Sequence, residues 1–244
     1  MAQPLTMEDV FAAPAYVINL DRRPERLRTT LPAVIDAGYR HVVRFAAVDG
    51  QQPDDLRRSW AALGNPGFSD APRHRDMRSG GHQGCFLSHV LLWEWIARDS
   101  HPVATILEDD IQFHPAWRFL APQYLARTPA DWELVHFGHH ALRAMGSAWA
   151  SRVPVQSTAA YMVTRAGAAA IAHAIRSQPA VGVIDQMIPE LQARELDGGV
   201  PAGFRWYAWN GTLHAGVDMT GLSTPSGLVF QRVAEFGSDT TVAG

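Results

Sequence analysis

Three consecutive acids end a short apolar stretch near the middle of the chain. Residues 103–107 are mostly apolar and rich in branched side chains, which is typical of a buried strand. Glu108, Asp109 and Asp110 follow, and apolar Ile111 comes directly after them. Carboxylates crowded at the end of a buried strand repel one another and lose hydration unless positive charge lies nearby. A divalent cation bound by oxygen ligands would meet this need; neighbouring arginines or full solvation are the alternatives.

A turn rich in arginine follows the first apolar stretch of the chain. Residues 15–20 predict a strand, and Arg22, Arg23 and Arg26 come directly after it. Ligands of open α/β sheets bind beyond the carboxyl ends of the strands. The three arginines are therefore candidates for contact with a nucleotide base, ribose or phosphate. The alternative interpretation is a solvated helix start with local ion pairs.

Asp185 and His214 are further candidates for chemistry. Asp185 follows an apolar triplet and lies near the start of a predicted helix, where an acid is commonly a cap. At the end of a strand the same acid could serve as a general base. His214 follows an aromatic stretch and lies in a polar tail, where a distant metal ligand is expected if the tail closes over a site. We interpret the histidines at 136, 139 and 140 as substrate contacts or surface residues and not as metal ligands.

A nearly all-apolar helix is predicted over residues 84–96, and such a helix is buried. It begins in glycines, so its N-terminal backbone donors could face an anion. We interpret Cys85 as a small core residue without chemistry and His89 as a hydrogen-bonded structural residue. Because Cys85 is the single cysteine, the sequence excludes a disulfide within the chain and a metal cluster built on cysteines.

The elements that must position these residues alternate along the chain. A strand, a helix ending near Gly38 and a second strand over 41–48 predict a parallel βαβ unit. One domain over 1–244 is the simplest interpretation, with a loose leader over 1–14, an irregular segment over 51–81 and a partly flexible tail over 215–244. Further strands are expected at 133–138, 157–163 and 204–209, and further helices at 117–126, 165–175 and after Asp185.

Composition narrows the class of protein. The chain has 244 residues, 47% of them hydrophobic and 18% charged, which is ordinary for a globular protein. A formal net charge of −3 argues against a nucleic-acid partner, although all of the basic residues are arginine. No apolar run approaches the roughly 20 residues of a membrane span, so only peripheral membrane association is left open. The first ten residues lack the basic flank of a secretory signal, and we expect a cytoplasmic protein.

Three segments, taken in order, resemble glycosyltransferase family 25. They are residues 16–27, residues 84–89 and residues 107–111, and residues 159–164 and 183–185 match more loosely. This is the family of bacterial lipopolysaccharide galactosyltransferases and of collagen galactosyltransferase domains. The resemblance implies an α/β fold of the GT-A type, with a mostly parallel central sheet flanked by helices. It also implies Mn²⁺ or Mg²⁺ as cofactor and a UDP-sugar as donor.

The resemblance implies a role for each candidate residue. Asp110 is the best direct metal ligand, with Glu108 and His214 as further ligands. Asp185 is the candidate base that takes the proton of the acceptor hydroxyl. The donor nucleotide would lie among Asn19, Arg22, Arg23, Arg26, Asp49, Ser88, Glu108 and Asp109.

The expected activity is metal-dependent, inverting transfer of a hexose, with galactose the expected sugar. The acceptor would be a hydroxyl group of a lipopolysaccharide sugar, another glycan, a small molecule or a protein. A binding module that keeps the transferase-like fold without turnover is the alternative. A metal-dependent phosphohydrolase is a third reading, for which the sequence offers no nucleophile motif.

Overall fold

The computed structural model describes residues 6–64, 77, 79–143, 149–178, 181–210 and 227–231. The described helices are α1 Met7–Ala12, α2 Pro24–Ala37, α3 Pro53–Ala62, α4 Gly80–Arg98, α5 Trp117–Arg127, α6 Arg165–Arg176 and α7 Ile184–Leu196. The described strands are β1 Pro14–Asn19, β2 His41–Ala46, β3 Val103–Glu108, β4 Ile111–Phe113, β5 Leu134–Ala141, β6 Ala150–Ser151, β7 Val155–Thr164, β8 Trp206–Trp209 and β9 Val229–Gln231.

Seven strands form a central sheet in the order β2-β1-β3-β7-β5-β8-β6. The predicted α/β sheet flanked by helices is confirmed. Strand β1 pairs parallel to both β2 and β3, and β5 pairs parallel to β8. The expectation of a mostly parallel sheet is confirmed, because β2, β1, β3, β5 and β8 all run in one direction. Two strands, β7 and β6, run in the opposite direction. Antiparallel neighbours can be joined without the long crossover that parallel strands need, and no crossover helix is described between β5 and β7.

The sheet lies between two helical layers. Helices α3, α4, α6 and α7 contribute to the core on one face, and α1, α2 and α5 to the core on the other. The residues of β1 are apolar because both faces of the strand are buried. Tyr16 and Ile18 pack into the first core, whereas Ala15 and Val17 pack into the second. Alternating residues of a strand point to opposite faces, so a central strand buries both sets.

The predicted loose leader is wrong where the structure describes it. Residues 7–12 form α1, whose start carries a capping box between Thr6 and Asp9. Val10 is fully buried and packs in the same core as Val34 of α2. The helix escapes a periodicity test because it has less than two turns and buries a single side chain.

Helix α2 begins with Pro24 and ends at Gly38, as predicted, and Gly38 has the left-handed φ of 118° that favours glycine. Helical spacing puts the apolar residues Leu27, Leu31, Val34 and Ile35 on one face and so predicts a buried stripe, but Ile35 is 58% exposed. The buried face instead carries Arg26 and Thr30 together with Val34. Two polar residues therefore face the protein interior, and their partners lie at the acidic turn described below.

Two further expectations, an irregular segment over 51–81 and a strand before Asp185, need correction. Residues 53–62, assigned to the irregular segment, form the helix α3. The described residues directly before Asp185, 181–183, form no strand, and Asp185 lies in the first turn of α7. The tail is described only over residues 227–231, where β9 pairs with β4 in a second, two-stranded sheet. His214 lies outside the described residues, and the single-domain assignment stays a prediction.

The start of α4 packs closely against the segment that follows β2. A Cβ atom at Gly84 would lie 2.5 Å from the carbonyl oxygen of Val48 and 2.9 Å from the amide nitrogen of Gly50. The side chain of Ser88 ties the same surfaces together, accepting from the Val48 amide at 2.9 Å and donating to the Gly84 carbonyl at 2.6 Å. Glycine at 84 therefore sets how closely the helix approaches the loop.

We expect Gly84→Ala to destabilise the protein. An alanine normally stabilises a helix by about 1 kcal/mol relative to glycine. Here the added methyl group would meet backbone atoms, and overpacking of this kind costs about 1–3 kcal/mol. Thermal and denaturant unfolding of the variant and the wild type would measure the net loss. A variant with an unchanged or raised free energy of unfolding would contradict the close approach.

Candidate active site

The three acids occupy the end of β3 and the turn before β4. Glu108 is the last residue of β3, and Asp109 and Asp110 form the turn. Because β1 runs parallel to β3 with Ile18 opposite Glu108, the end of β1 reaches the same edge of the sheet. The side-chain amide of Asn19 donates to Asp109 Oδ2 at 2.6 Å. The first strand and the acidic strand are thus in direct contact at this edge.

Both carboxylate oxygens and the backbone carbonyl oxygen of Asp109 accept hydrogen bonds. Arg26 Nη1 donates to Asp109 Oδ1 at 3.1 Å, and the Thr30 hydroxyl donates to the Asp109 carbonyl oxygen at 2.5 Å. Burial raises the pKa of the Asp109 carboxyl group, while Asn19 and Arg26 act to lower it. The turn is therefore held by buried polar contacts from β1 and α2. These contacts explain why polar residues lie on the buried face of α2.

Asp110 carries a carboxylate that the described protein does not neutralise fully. Its Oδ1 atom is buried and has no hydrogen-bond partner among the described residues, and its Oδ2 atom lies 3.6 Å from Arg26 Nη1. Burial, followed by the negative charge of Glu108, raises the pKa of Asp110 to about 7. An unpaired buried carboxylate oxygen beside further acids suits a hard divalent cation such as Mn²⁺ or Mg²⁺. The residues present therefore fit the metal that the family resemblance implies.

Glu108 lies within a polar network. The Thr158 hydroxyl lies 2.8 Å from Glu108 Oε1, and the Gln231 amide donates to Oε2 at 2.7 Å. His89 Nε2 lies 3.5 Å from Oε1. Burial acts to raise the pKa of Glu108, but the contacts with His89, Thr158 and Gln231 outweigh it and hold that pKa below its usual value. Glu108 is therefore the member of the group whose charged form its surroundings favour.

Asp185 joins the acids through Thr158. The Thr158 hydroxyl lies 2.9 Å from Asp185 Oδ1 as well as near Glu108, yet it has a single proton to donate. Burial and the charge of Glu108 raise the pKa of Asp185 to about 6. The cap interpretation of Asp185 is wrong, because Val183 occupies the N-cap position and makes no side-chain cap.

The backbone beside Thr158 is unusual. Ser157 has a φ of 100°, and it is the one residue other than glycine with a positive φ in the described part of the chain. The pairing of β5 with β7 also shifts register between the Gly138–Ala160 and His140–Gln156 pairs. Such strained positions persist where surrounding contacts over-determine them, often at functional sites. The irregular residue, Ser157, directly precedes Thr158, whose hydroxyl contacts both Glu108 and Asp185.

A cavity of about 100 Å³ opens beside the network. It is lined by the ends of β1 and β3, the loop after β2 and the start of α4, among them Arg22, Arg26, Gly50, Gly84, His89 and Glu108. The positively charged side chains of Arg22 and Arg26, together with the backbone at the start of α4, thus lie opposite the acids. An anion with attached apolar groups would find both kinds of partner in this space.

The remaining candidates lie around the cavity with partners of their own. Arg22 Nε pairs with Asp49 Oδ2 at 3.1 Å, which places this predicted pair together at the exposed side. Arg23 Nε pairs with Glu25 at 2.8 Å. Ser88 lines the cavity, but its hydroxyl is bonded to backbone and acts as a structural tie.

Sequence reasoning missed four residues of the site. Thr30, Thr158 and Gln231 supply hydrogen bonds to the acidic turn, and Arg44 Nε donates to Asn19 Oδ1 at 3.0 Å. Thr30 could have been found, since a polar residue one turn after Arg26 lies on the same helical face. Thr158, Gln231 and Arg44 come from other strands and had no local signal.

The sequence was compared with models of known protein families, and one family matches the part of the chain that contains the acidic turn. The sequence model described as "Glycosyltransferase family 25 (LPS biosynthesis protein)" matches residues 12–144, which include α2, α4 and the acidic turn. The chain belongs to glycosyltransferase family 25. The mixed α/β sheet flanked by helices is consistent with the GT-A-type fold that the resemblance implies.

Three curated relatives illustrate the range of the family. A "Glycosyltransferase 25 family member" of Anopheles gambiae is 34% identical over 71% of this chain and 31% of its own length. "Procollagen galactosyltransferase 2" of Mus musculus is 30% identical over 50% of this chain and 20% of its own. "Inactive glycosyltransferase 25 family member 3" of Homo sapiens is 29% identical over 50% and 21%. The chain spans about a fifth to a third of the length of the curated relatives it matches.

None of the described helices is both long enough and apolar enough to cross a bilayer.

We expect Asp110→Asn to stabilise the metal-free protein at high pH. Because the folded-state pKa of Asp110 is raised to about 7, its favourable contribution is complete below the unfolded-state pKa and is lost as pH rises through 7. The variant should gain about 2–4 kcal/mol over the wild type at pH 8 and little at pH 4. Urea unfolding with a chelator would measure both, with exposed Asp36→Asn as the matched control. An equal gap at the two pH values would refute the assignment.

Proposed function

We propose that the protein is a metal-dependent, inverting glycosyltransferase that moves a hexose from a UDP-sugar to a hydroxyl acceptor. The observation that supports this most directly is the buried Oδ1 atom of Asp110, which has no hydrogen-bond partner in the described part of the chain, beside a cavity lined by Arg22 and Arg26. Membership of family 25 supports the transferase class. Galactose is the proposed sugar because relatives such as the mouse protein are named galactosyltransferases.

Asp110 is the proposed principal ligand of Mn²⁺ or Mg²⁺. When bound, the ion would stabilise the negative charge that develops on the diphosphate as UDP departs. Glu108 Oε1 lies 2.8 Å from the Thr158 hydroxyl and 3.5 Å from His89 Nε2, and Oε2 accepts a hydrogen bond from Gln231. Glu108 is therefore better suited to orient the site and to supply charge than to act as the first ligand. Asp109, bonded to Asn19 and Arg26, positions the turn.

The nucleotide is proposed to occupy the cavity at the ends of β1 and β3. Arg22 and Arg26 supply positive charge there, and the glycines at the start of α4 allow close approach to the backbone. Asp49, paired with Arg22, would accept hydrogen bonds from the uracil or ribose once the donor displaces that pair. Arg22 and Asp49 are thus both proposed to contact the donor nucleotide, the role that the family resemblance implies for them.

Asp185 is the proposed base. In a single displacement, the acceptor oxygen bonds to the anomeric carbon while the bond from that carbon to the diphosphate breaks. A carboxylate must take the acceptor proton, and a base of raised pKa does so most effectively near neutral pH. Thr158 holds Asp185 at the same edge as Glu108, so the base lies beside the donor site.

The acceptor is proposed to be a hydroxyl of a lipopolysaccharide sugar or another glycan, with small molecules and proteins as further candidates. The family description names lipopolysaccharide biosynthesis, and the mouse relative is named for procollagen. Purified protein supplied with Mn²⁺ and a panel of UDP-hexoses and acceptors tests both choices by product mass. Turnover of UDP-galactose with a glycan acceptor is the expected result.

Asp110→Ala should abolish metal-dependent donor binding. Removing the charge stabilisation at the departing diphosphate costs about 3–4 kcal/mol of barrier, so transfer should fall about 10²–10³-fold. Calorimetric titration with UDP, with and without Mn²⁺, measures the binding part. The wild type should bind UDP more tightly with Mn²⁺ and the variant should not, while Asp36→Asn should behave as the wild type. Full Mn²⁺-dependent affinity in Asp110→Ala would exclude the assignment.

Asp185→Asn should lower kcat by about 10²–10⁴-fold with donor affinity retained, because the amide cannot accept the proton. In the wild type, kcat/KM should fall about tenfold per pH unit below pH 6, since the base must be unprotonated and its pKa is raised to about 6. The residual activity of the variant should lack this decline. Rates at a fixed concentration of Mn²⁺ from pH 5 to pH 8 measure both quantities.

The alternative is a module that binds a nucleotide sugar or a glycan without turnover. One matched relative, the human protein, is named inactive. A protein that binds UDP and Mn²⁺ but transfers no hexose to any acceptor, and hydrolyses no donor, would support this second function.

A further inference from the structure

We propose that Cys85, His89 and Glu108 form a second cation site, selective for a soft or borderline divalent ion such as Zn²⁺. Cys85 and His89 are one turn apart on α4, a spacing that places both side chains on one face of the helix. Glu108 reaches that face from the end of β3. One potential ligand atom from each of the three residues lies within 4.8 Å of the others.

His89 presents an available nitrogen to this position. Its Nδ1 atom lies 2.9 Å from the Tyr161 hydroxyl oxygen, which also accepts from Trp93 Nε1 at 2.8 Å. The ring is almost fully buried, at 1% exposure, and its Nε2 atom makes no hydrogen bond to a described residue. Metal-binding histidines commonly donate their second ring N–H to such a partner. The Tyr161 oxygen can accept from His89 Nδ1, which leaves the Nε2 lone pair for a cation.

The local charge favours a cation. Burial is the main reason that the pKa of the Cys85 thiol is raised, and this effect opposes ionisation. The negative charges of Glu108, Asp185 and Asp110 raise that pKa further, and the same charges attract a cation. A bound Zn²⁺ would replace the thiol proton, forming one metal–sulfur bond and releasing one proton to solvent. The cation would then lie beside Glu108, with a further coordination position open to the cavity that all three residues line.

The donor atoms separate this site from the one at Asp110. Sulfur and imidazole nitrogen select Zn²⁺, Co²⁺ or Cd²⁺, whereas carboxylate oxygens suit Mn²⁺ and Mg²⁺. Tetrahedral zinc with bonds of about 2.0–2.3 Å has ligand atoms about 3.3–3.8 Å apart. From the observed upper limit of 4.8 Å, the ligand atoms need to close by at most about 1.0–1.5 Å. Rotation about side-chain bonds can supply a movement of this size.

Occupancy would have a consequence for the proposed transferase. Glu108 Oε1 lies 2.8 Å from the Thr158 hydroxyl, which also contacts Asp185. A cation on Glu108 would compete for that oxygen and alter the surroundings of the proposed base. We therefore expect Zn²⁺ to inhibit transfer supported by Mn²⁺. This consequence rests on the proposed function, whereas the binding of Zn²⁺ does not.

Cobalt substitution tests the ligand set in the full chain. Co²⁺ added to the wild type should give the sulfur-to-cobalt charge-transfer absorption that a thiolate ligand produces, and Zn²⁺ should remove it. Cys85→Ser should lack the band. The variant should also bind Zn²⁺ at least about 100-fold more weakly by calorimetry, since loss of even an outer partner weakens binding about 10–100-fold. Circular dichroism and the unfolding midpoint show that the variant is folded.

Asp110→Asn is the matched control. It should keep the cobalt band and the Zn²⁺ affinity while losing the affinity for Mn²⁺, and Cys85→Ser should show the reverse pattern. A wild type without the charge-transfer band, or equal Zn²⁺ affinity in Cys85→Ser, would overturn the proposed site, because surface histidines bind Zn²⁺ without sulfur. A chain that binds Zn²⁺ at Cys85 but transfers no hexose would refute the proposed function alone.

Discussion

The acidic turn after β3 depends on one buried cation. Arg26 Nη1 lies 3.1 Å from Asp109 and 3.6 Å from Asp110, and both acids are almost fully buried. A buried charge is tolerated only when it is paired and hydrogen-bonded, and one arginine cannot neutralise the whole group. The amide of Asn19 and the hydroxyl of Thr30 complete the bonding of Asp109. Asp110 is left with unneutralised charge, and this remaining charge is what suits the turn to a divalent cation.

The other two acids, Glu108 and Asp185, both contact the Thr158 hydroxyl but differ in their pKa values. The network of His89, Thr158 and Gln231 lowers the pKa of Glu108, whereas burial and Glu108 itself raise the pKa of Asp185. Two carboxyl groups in contact with one hydroxyl cannot both receive its proton. Their pKa values separate because burial and the negative charge of Glu108 raise that of Asp185. Paired acids of this kind permit one group to stay charged while the other exchanges a proton near neutral pH. The strained backbone at Ser157 lies next to this hydroxyl.

Local patterns predicted most of the elements that surround the site. The βαβ unit, the helix α6 and the strand ending in three acids follow from periodicity and terminal signals. Helix α1 was missed because it is short, and α3 because the glycines and prolines around it obscured its apolar face. The orientation of β7 was not predictable, since the direction of a strand depends on how the chain returns to the sheet.

The sequence by itself determined the family, the class of fold and the presence of an acidic turn after a buried strand. These features are local, because order along the chain and side-chain type are enough to establish them. Only the tertiary structure decided which acids are paired, since Arg26, Thr158 and Gln231 approach the turn from separate elements. It also decided that Asp185 contacts Thr158 and is no helix cap, and that Cys85 and His89 face Glu108. The physical reason is that burial and charge pairing depend on contacts between residues far apart in the chain, which local spacing does not encode.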